Sequence, residues 1–422
     1  MERYIVHGPV RLSGTVRVSG SKNAVLPMMA ATVLTEHQCT IHGVPDLSDV
    51  AVMSQILRTL GCQVSFHRGL ANGHQLVIDA SGLRSYEVPE NLMRQMRSSI
   101  FLMGPLLARL GRVKVSYPGG CAIGPRPIDL HLRGLHALGA RIEERAGYIL
   151  AECQRLTGAE IHLDFPSVGA TENIMMAAVL ADGTTVIRNA AKEPEIVELQ
   201  NFLNAMGARV KGAGMDVIRI EGVRRLGPAE HSVIPDRIEV GTIMVGAAIT
   251  RGSVTIVNCI PEHVQAVIAK LREAGVKVSE DRNSITVEAH DRPNAIDVKT
   301  LPYPGFPTDM QAQIMALTCI ANGTSVVTET VFENRFKHAE ELRRMGAKIK
   351  TEGRTAVIKG VNSLSGALVE VADLRGGAAL VLAALAAEGT SVIEGIHHID
   401  RGYERLDEKL KSLGARIERS SQ

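Results

Sequence analysis

Gly207-Ala208-Arg209-Val210 decides the fold, because the same pattern of a glycine, two residues and a β-branched residue returns along the whole chain. The other copies are Gly61-Cys62-Gln63-Val64, Gly139-Ala140-Arg141-Ile142, Gly275-Val276-Lys277-Val278, Gly346-Ala347-Lys348-Ile349 and Gly414-Ala415-Arg416-Ile417, with glycines 78, 68, 68, 71 and 68 residues apart. A glycine at the end of a helical pattern predicts a left-handed C-cap, and the alternation after it predicts a strand leaving the helix. Six copies of one unit therefore fill the chain.

Each unit also carries an earlier helical pattern that is apolar on nearly every face, over 24–34, 99–110, 173–180, 241–249, 311–320 and 377–387. A helix without a polar stripe must be enclosed by protein. Most of these runs lead into a turn and a β-branched strand, as in Asp182-Gly183-Thr184-Thr185-Val186-Ile187. An amphipathic outer helix, such as 339–345, completes the unit. At 422 residues the chain exceeds what one hydrophobic core supports. The pattern predicts an α/β fold of two domains, each of three repeated units with buried central helices and outer sheets. The turn-rich segment 226–235 is the candidate linker.

Composition narrows the function. Lys and Arg (47) nearly balance Asp and Glu (45), and with no Trp and few Phe or Tyr a basic groove with stacking platforms is not expected. The longest apolar run, 378–387, falls short of the roughly 20 residues of a membrane span. The N-terminus lacks the pattern of a secretory leader, so the cytoplasm is the expected location. Six cysteines are scattered without metal-ligand or disulfide spacing, and no HExxH, GxGxxG or Walker A motif occurs. No metal and no cofactor are expected.

Polar and charged residues gather just before the buried helices: Ser21-Lys22-Asn23, 94–98, 167–172, Asp236-Arg237, Thr308-Asp309 and Asp373-Leu374-Arg375. Helix starts present unpaired N–H groups and partial positive charge, a setting for anions. Many of these Ser, Asn and Asp residues read equally well as ordinary N-caps. Lys22, Arg97 and Arg375 do not, since a cation at a helix start opposes the dipole unless an anion joins it.

The second focus is Pro118-Gly119-Gly120-Cys121-Ala122-Ile123-Gly124-Pro125-Arg126, whose Gly and Pro content excludes helix and central strand. Long glycine-bearing loops are commonly lids or binding loops, and Cys121 with Arg126 nearby is a setting for a reactive thiol. The other five cysteines read as core filler. His131 and His136 read as residues of an outer-helix surface.

These stretches, with Phe306-Pro307-Thr308-Asp309-Met310-Gln311, Glu329-Thr330-Val331-Phe332-Glu333-Asn334-Arg335 and His398-Ile399-Asp400-Arg401-Gly402-Tyr403-Glu404, resemble the UDP-N-acetylglucosamine 1-carboxyvinyltransferases along essentially the whole chain. The resemblance implies two inside-out α/β domains. One would span 22–232, with the Cys121 lid loop and a uridine-binding strip. The other would join 1–21 to 233–422, with Asp309 and Arg401. It implies transfer of the enolpyruvyl group of phosphoenolpyruvate to the sugar 3'-hydroxyl through a tetrahedral ketal, the first committed step of peptidoglycan precursor synthesis and the target of fosfomycin.

By the same resemblance Cys121 is the acid and Asp309 the base. Lys22, Asn23, Arg97, Arg126, Arg375 and Arg401 would surround phosphoenolpyruvate. Asn23, Arg97, Arg126, Pro127, Ile128, Asp129, Leu130, Ser167, Val168, Gly169, Asp309 and Val331 would hold the nucleotide sugar, with Asp373 and Glu329 as ordering groups. Phe165 departs from family members that carry a lysine there, which leaves the diphosphate to backbone N–H groups. Two alternatives stay open: the sister reaction on shikimate 3-phosphate, and a non-catalytic repeat scaffold.

Overall fold

The structure, a computed structural model, describes residues 2–70, 73–119, 124 and 127–421. Cys121 and Arg126 lie outside the described residues. Leaving the loop around them aside, the chain divides into two compact units, one from Gly20 to Ile234 and one joining Met1–Ser19 to Pro235–Gln422. The breaks thus fall after Ser19 and after Ile234.

Six sheets are present among the described residues, three in each unit. One plan recurs. In the second unit Thr324–Thr328 is the hub strand, antiparallel to Thr355–Lys359, which in turn pairs with Lys348–Glu352, while Val298–Lys299 lies parallel on the other side. The first unit repeats it with Thr184–Arg188 as hub and Glu160–His162 parallel. In its three-stranded sheet the parallel member shrinks to a bridge between Glu87 and Lys114.

The chain's beginning completes two sheets of the second unit. Ser13–Arg17 runs parallel to Ser253–Val257, and Glu2–Gly8 lies between Gly389–Glu394 and Ile417–Ser421. The six repeat glycines all have positive φ, from 86° at Gly275 to 109° at Gly61. They turn each outer helix into the following strand in a conformation that Cβ-bearing residues avoid.

Six apolar helices fill the interiors: α1 (Lys22–Ala31), α2 (Met103–Leu110), α3 (Val168–Ala178), α4 (Arg237–Ile249), α5 (Gln311–Cys319) and α6 (Leu374–Ala386). Burial is nearly complete: Arg237 is the one residue of α4, and Ala386 the one of α6, that is not buried. Only elements enclosed on all sides tolerate such sequences. The fold is thus two α/β units, each three repeats with helices inside and sheets outside.

Helix boundaries differ from the sequence pattern in an interpretable way. Residues 97–102, which the pattern places largely in the same helix as 103–110, form a separate 3-10 turn. Pro105 has no N–H to return to Phe101, so the α-helical ladder cannot extend back through that turn. Gly104 also meets Asn173, whose carbonyl would lie 2.3 Å from a Cβ.

Candidate functional site

In the second unit the starts of α4, α5 and α6 converge on Asp309. Asp236 caps α4, accepting hydrogen bonds from the backbone N–H groups of Ile238 (2.8 Å) and Glu239 (3.1 Å). Asp373 caps α6 in the same way through Arg375 (3.1 Å) and Gly376 (2.9 Å). Before α5 the chain makes a 3-10 turn, Thr308–Met310, which carries Asp309.

Asp309 is clamped between two guanidinium groups. Arg335 Nη2 donates to Oδ1 at 2.7 Å, and Arg375 donates to Oδ2 from Nη2 at 3.1 Å and Nε at 3.3 Å. The Asp309 side chain is 27% exposed, and those of Arg335 and Arg375 only 5% and 3%. Burial by itself would push this carboxyl up, but Arg375 and then Arg335 outweigh it and hold the carboxyl well below the usual carboxylate range. The result is a carboxylate that stays ionised although largely enclosed.

A second layer fixes that clamp. Arg335 Nη1 donates to the Thr308 hydroxyl at 2.7 Å, and that hydroxyl donates to Glu329 Oε2 at 2.8 Å. Glu329 Oε1 accepts from the backbone N–H groups of Val331 (2.8 Å) and Phe332 (3.1 Å), so the segment after the strand Thr324–Thr328, which carries Val331, is tied to the same network. Arg401 ends a 3-10 turn, Ile396–Arg401, and is half-buried. His338 is buried beside the network, and burial pushes its imidazole down to about 4, leaving it neutral at physiological pH.

The first unit holds the remaining described candidates. Lys22 opens α1, and its ammonium lies 2.7 Å from Asp49 Oδ2, with both side chains nearly buried. Lys22 and Arg375 therefore each have a carboxylate partner from the protein itself, which offsets the unfavourable placing of a cation at a helix start. Asn23 is half-buried in the first turn of α1, and Arg97 is half-buried at the start of the turn Arg97–Leu102.

Ser167 caps α3, its hydroxyl accepting from the Ala170 N–H at 3.3 Å, with Val168 and Gly169 half-buried in the first turn. Pro127 and Asp129 are exposed, Ile128 is buried and Leu130 half-buried, so the strip alternates between core and solvent as it enters the helix Asp129–Ala137. Phe165 is 41% exposed.

His131 corrects the sequence reading: it is buried, not a surface residue. Its Nδ1 lies 3.0 Å from Asn173 Nδ2 and its ring packs against Gly169, where a Cβ would come within 3.2 Å of it. Asn173 also accepts from the Gly104 N–H at 2.6 Å and donates to the Ile100 carbonyl at 2.9 Å. His131 thus couples the 127–130 strip to the start of α3, and its partner Asn173 lies 42 residues away in sequence, so no local pattern gave a sign of it. Arg335 was likewise missed as a candidate, because its partner Asp309 is distant in sequence and only tertiary folding joins them.

Among the described residues no group of three or more His, Cys, Asp or Glu side chains is arranged to hold a metal ion. Among the described residues no helix is long and apolar enough to cross a membrane.

Comparison with known proteins bears on this arrangement. Residues 6–410 match the family model described as EPSP synthase (3-phosphoshikimate 1-carboxyvinyltransferase). The chain is 64% identical over 419 residues to UDP-N-acetylglucosamine 1-carboxyvinyltransferase 1 of Symbiobacterium thermophilum, covering 99% of this chain and 95% of that one. It is 56% identical over 420 residues to UDP-N-acetylglucosamine 1-carboxyvinyltransferase 2 of Caldanaerobacter subterraneus subsp. tengcongensis, covering 99% and 100%. Among solved structures, the enolpyruvyl transferase NikO from Streptomyces tendae superposes with a TM-score of 0.89 at 25% identity, covering 100% of this chain and 99% of that one. EPSP synthase from Acinetobacter baumannii shares the fold, with a TM-score of 0.74 at 20% identity over the whole of both chains.

Proposed function

We infer the function from the premise that this chain belongs to the EPSP synthase family and, within it, to the UDP-N-acetylglucosamine 1-carboxyvinyltransferases. It transfers the enolpyruvyl group of phosphoenolpyruvate to the 3'-hydroxyl of UDP-N-acetylglucosamine and releases phosphate, which commits that sugar to peptidoglycan. The sister reaction on shikimate 3-phosphate has only the distant fold likeness behind it. Its expected place is the cytoplasm, where both anionic metabolites are available.

The observation that carries the assignment of roles is the ionised Asp309 carboxylate between Arg335 and Arg375 at the meeting of three helix starts. In our reading the Cys121 thiol protonates C3 of phosphoenolpyruvate, making C2 electrophilic. The sugar oxygen bonds to C2 while its proton passes to Asp309. In the elimination a proton from C3 returns to the Cys121 thiolate, the double bond re-forms and the bond from C2 to the phosphate oxygen breaks, releasing phosphate.

A carboxylate gripped by two guanidinium groups is a weak base. An anionic substrate that engages Arg375 draws charge away from Asp309 and raises its proton affinity once that substrate is in place. Basicity would then appear only in the loaded enzyme, which suits a reaction whose intermediate must be shielded from water.

We assign Lys22, Arg126 and Arg401 to the phosphate and carboxylate of phosphoenolpyruvate, with Asn23, Arg97 and Arg375 in support. Arg forks suit such planar, multi-oxygen groups. Arg126 through Leu130 would bind uridine, the start of α3 at Ser167, Val168 and Gly169 the diphosphate, and Val331 a wall of the sugar pocket. The domain of 22–232 would then carry the nucleotide subsites and that of 1–21 with 233–422 the base. A phosphate-release assay tests the function. Turnover with UDP-N-acetylglucosamine is expected, and turnover with shikimate 3-phosphate alone would overturn it.

A further inference from the structure

Beneath Asp309 the buried helices of the second unit share a knot of polar side chains in an otherwise apolar interior. Thr242 of α4 and Gln313 of α5 are fully buried, and Tyr403, just after the turn Ile396–Arg401, is 1% exposed. The Tyr403 hydroxyl lies 2.9 Å from Thr242 Oγ1 and accepts a hydrogen bond from Gln313 Nε2 at 3.1 Å. Gln313 Nε2 is also 3.1 Å from Thr242 Oγ1. Polar groups at such depth stabilise a fold less than apolar residues of the same shape would, unless they specify one arrangement.

What sits on the knot suggests that arrangement. The Arg375 guanidinium lies over the Tyr403 ring, 5.1 Å from its centroid, and from there grips Asp309 Oδ2. The face of an aromatic ring attracts a cation, and the two bonds on the hydroxyl hold the ring against rotation and tilt. Each of the three buried helices contributes: α4 and α5 fix Tyr403, and α6 presents the cation above it.

We propose that Tyr403 is a positioning residue for the transfer reaction: clamped by Thr242 and Gln313, its ring sets the Arg375 guanidinium and, through it, the orientation of the Asp309 carboxylate. The inference rests on the reading of Asp309 as the base. The charged groups that act on Asp309 are Arg375, Arg335 and Arg237, with Asp236 facing Arg375 from α4. If Arg375 loosens, the carboxyl rises toward its ordinary range, and the pH below which turnover fails rises with it.

The test is Tyr403→Phe in the full chain, which keeps the ring and removes the hydroxyl. The expected result is a fall in kcat of about tenfold, a KM for UDP-N-acetylglucosamine within about twofold of the parent, and an acid limb moved to higher pH. Because Tyr403→Phe leaves Gln313 short of a partner, the all-apolar variant Thr242→Val, Gln313→Leu, Tyr403→Phe is measured beside it. The same loss of kcat is expected there even where the melting temperature recovers. Parental kcat and acid limb in Tyr403→Phe overturn the proposal, as does recovery of kcat in the all-apolar variant. Asp309→Asn separates the two readings: retained turnover in it removes the base assignment and this inference together. Loss there with parental behaviour in Tyr403→Phe removes this inference alone.

Discussion

Arg335 holds Asp309 by a 2.7 Å hydrogen bond to Oδ1 while its other terminal nitrogen binds the Thr308 hydroxyl at the same distance, so one guanidinium spans two consecutive residues of a helix start. That geometry needs a planar fork with two divergent donors. Lysine supplies the charge but not the fork. Arg335→Lys is therefore expected to fold, to lower kcat by roughly tenfold and to change KM for phosphoenolpyruvate less. Parental kcat in a steady-state phosphate-release assay would show the second contact to be idle.

Asp309→Asn should abolish turnover while leaving the nucleotide sugar bound, as read by calorimetry. It also has a stability signature. The folded-state carboxyl is depressed, so its contribution is fully present above the ordinary aspartate value of about 3.9 and is lost as pH falls through that value toward the folded one. The melting-temperature deficit of Asp309→Asn should therefore be largest near neutrality and shrink below about pH 4. A deficit that does not vary with pH would contradict the ion-pair account.

Glu172 presents the opposite sign. It is 1% exposed on α3, neither carboxyl oxygen has a hydrogen-bond partner, and burial, followed by Glu195 and Glu193, pushes its carboxyl well above the ordinary range. The folded chain binds this proton more tightly than the unfolded chain, so stability is full below about pH 4.3 and declines as pH rises toward the raised value. Glu172→Gln, which mimics the neutral form, should raise the melting temperature at pH 8 and leave it unchanged near pH 4. A lower melting temperature at pH 8 would mean that the charged form has a role.

Thiol chemistry should single out Cys121. Burial raises the Cys39, Cys62 and Cys259 thiols to about 11 and Cys319 to about 12, and it raises Cys153 as well. At pH 7.5 a thiol near 11 is ionised to roughly one part in three thousand, and the thiolate is the nucleophile. Fosfomycin or iodoacetamide on the native protein should add one equivalent, mapped by peptide mass spectrometry to Cys121. Cys121→Asp should retain turnover and take up none. Labelling of Cys39 or Cys319 at a comparable rate would refute the ranking.

Ser167→Ala tests the start of α3. Loss of the cap to Ala170 should cost about 1 kcal/mol of stability. If the same turn holds the diphosphate, KM for the nucleotide sugar should rise several-fold with kcat little changed. An unchanged KM beside the stability loss would confine Ser167 to capping.

Much was legible without coordinates. The repeat glycines and the unbroken apolar helices follow from local rules, since a left-handed cap wants glycine and a helix with no polar face must be enclosed. The helix-start residues Asp309, Arg375 and Ser167 were visible for the same reason. Boundaries were less so, as at 97–102, where Pro105 and the contact of Gly104 with Asn173 divide the pattern into two helices.

The amino-acid order by itself therefore determined the repeat, the two cores and the polar residues that tip each buried helix, because these depend on periodicity and on backbone preference within a few residues. Only the tertiary structure decided that Arg335 and Arg375 share one carboxylate, that His131 lies inside against Asn173, and that Tyr403 closes a knot between Thr242 and Gln313. Those pairings join positions far apart in the chain, and no local preference encodes a distance that exists only after three helices have packed.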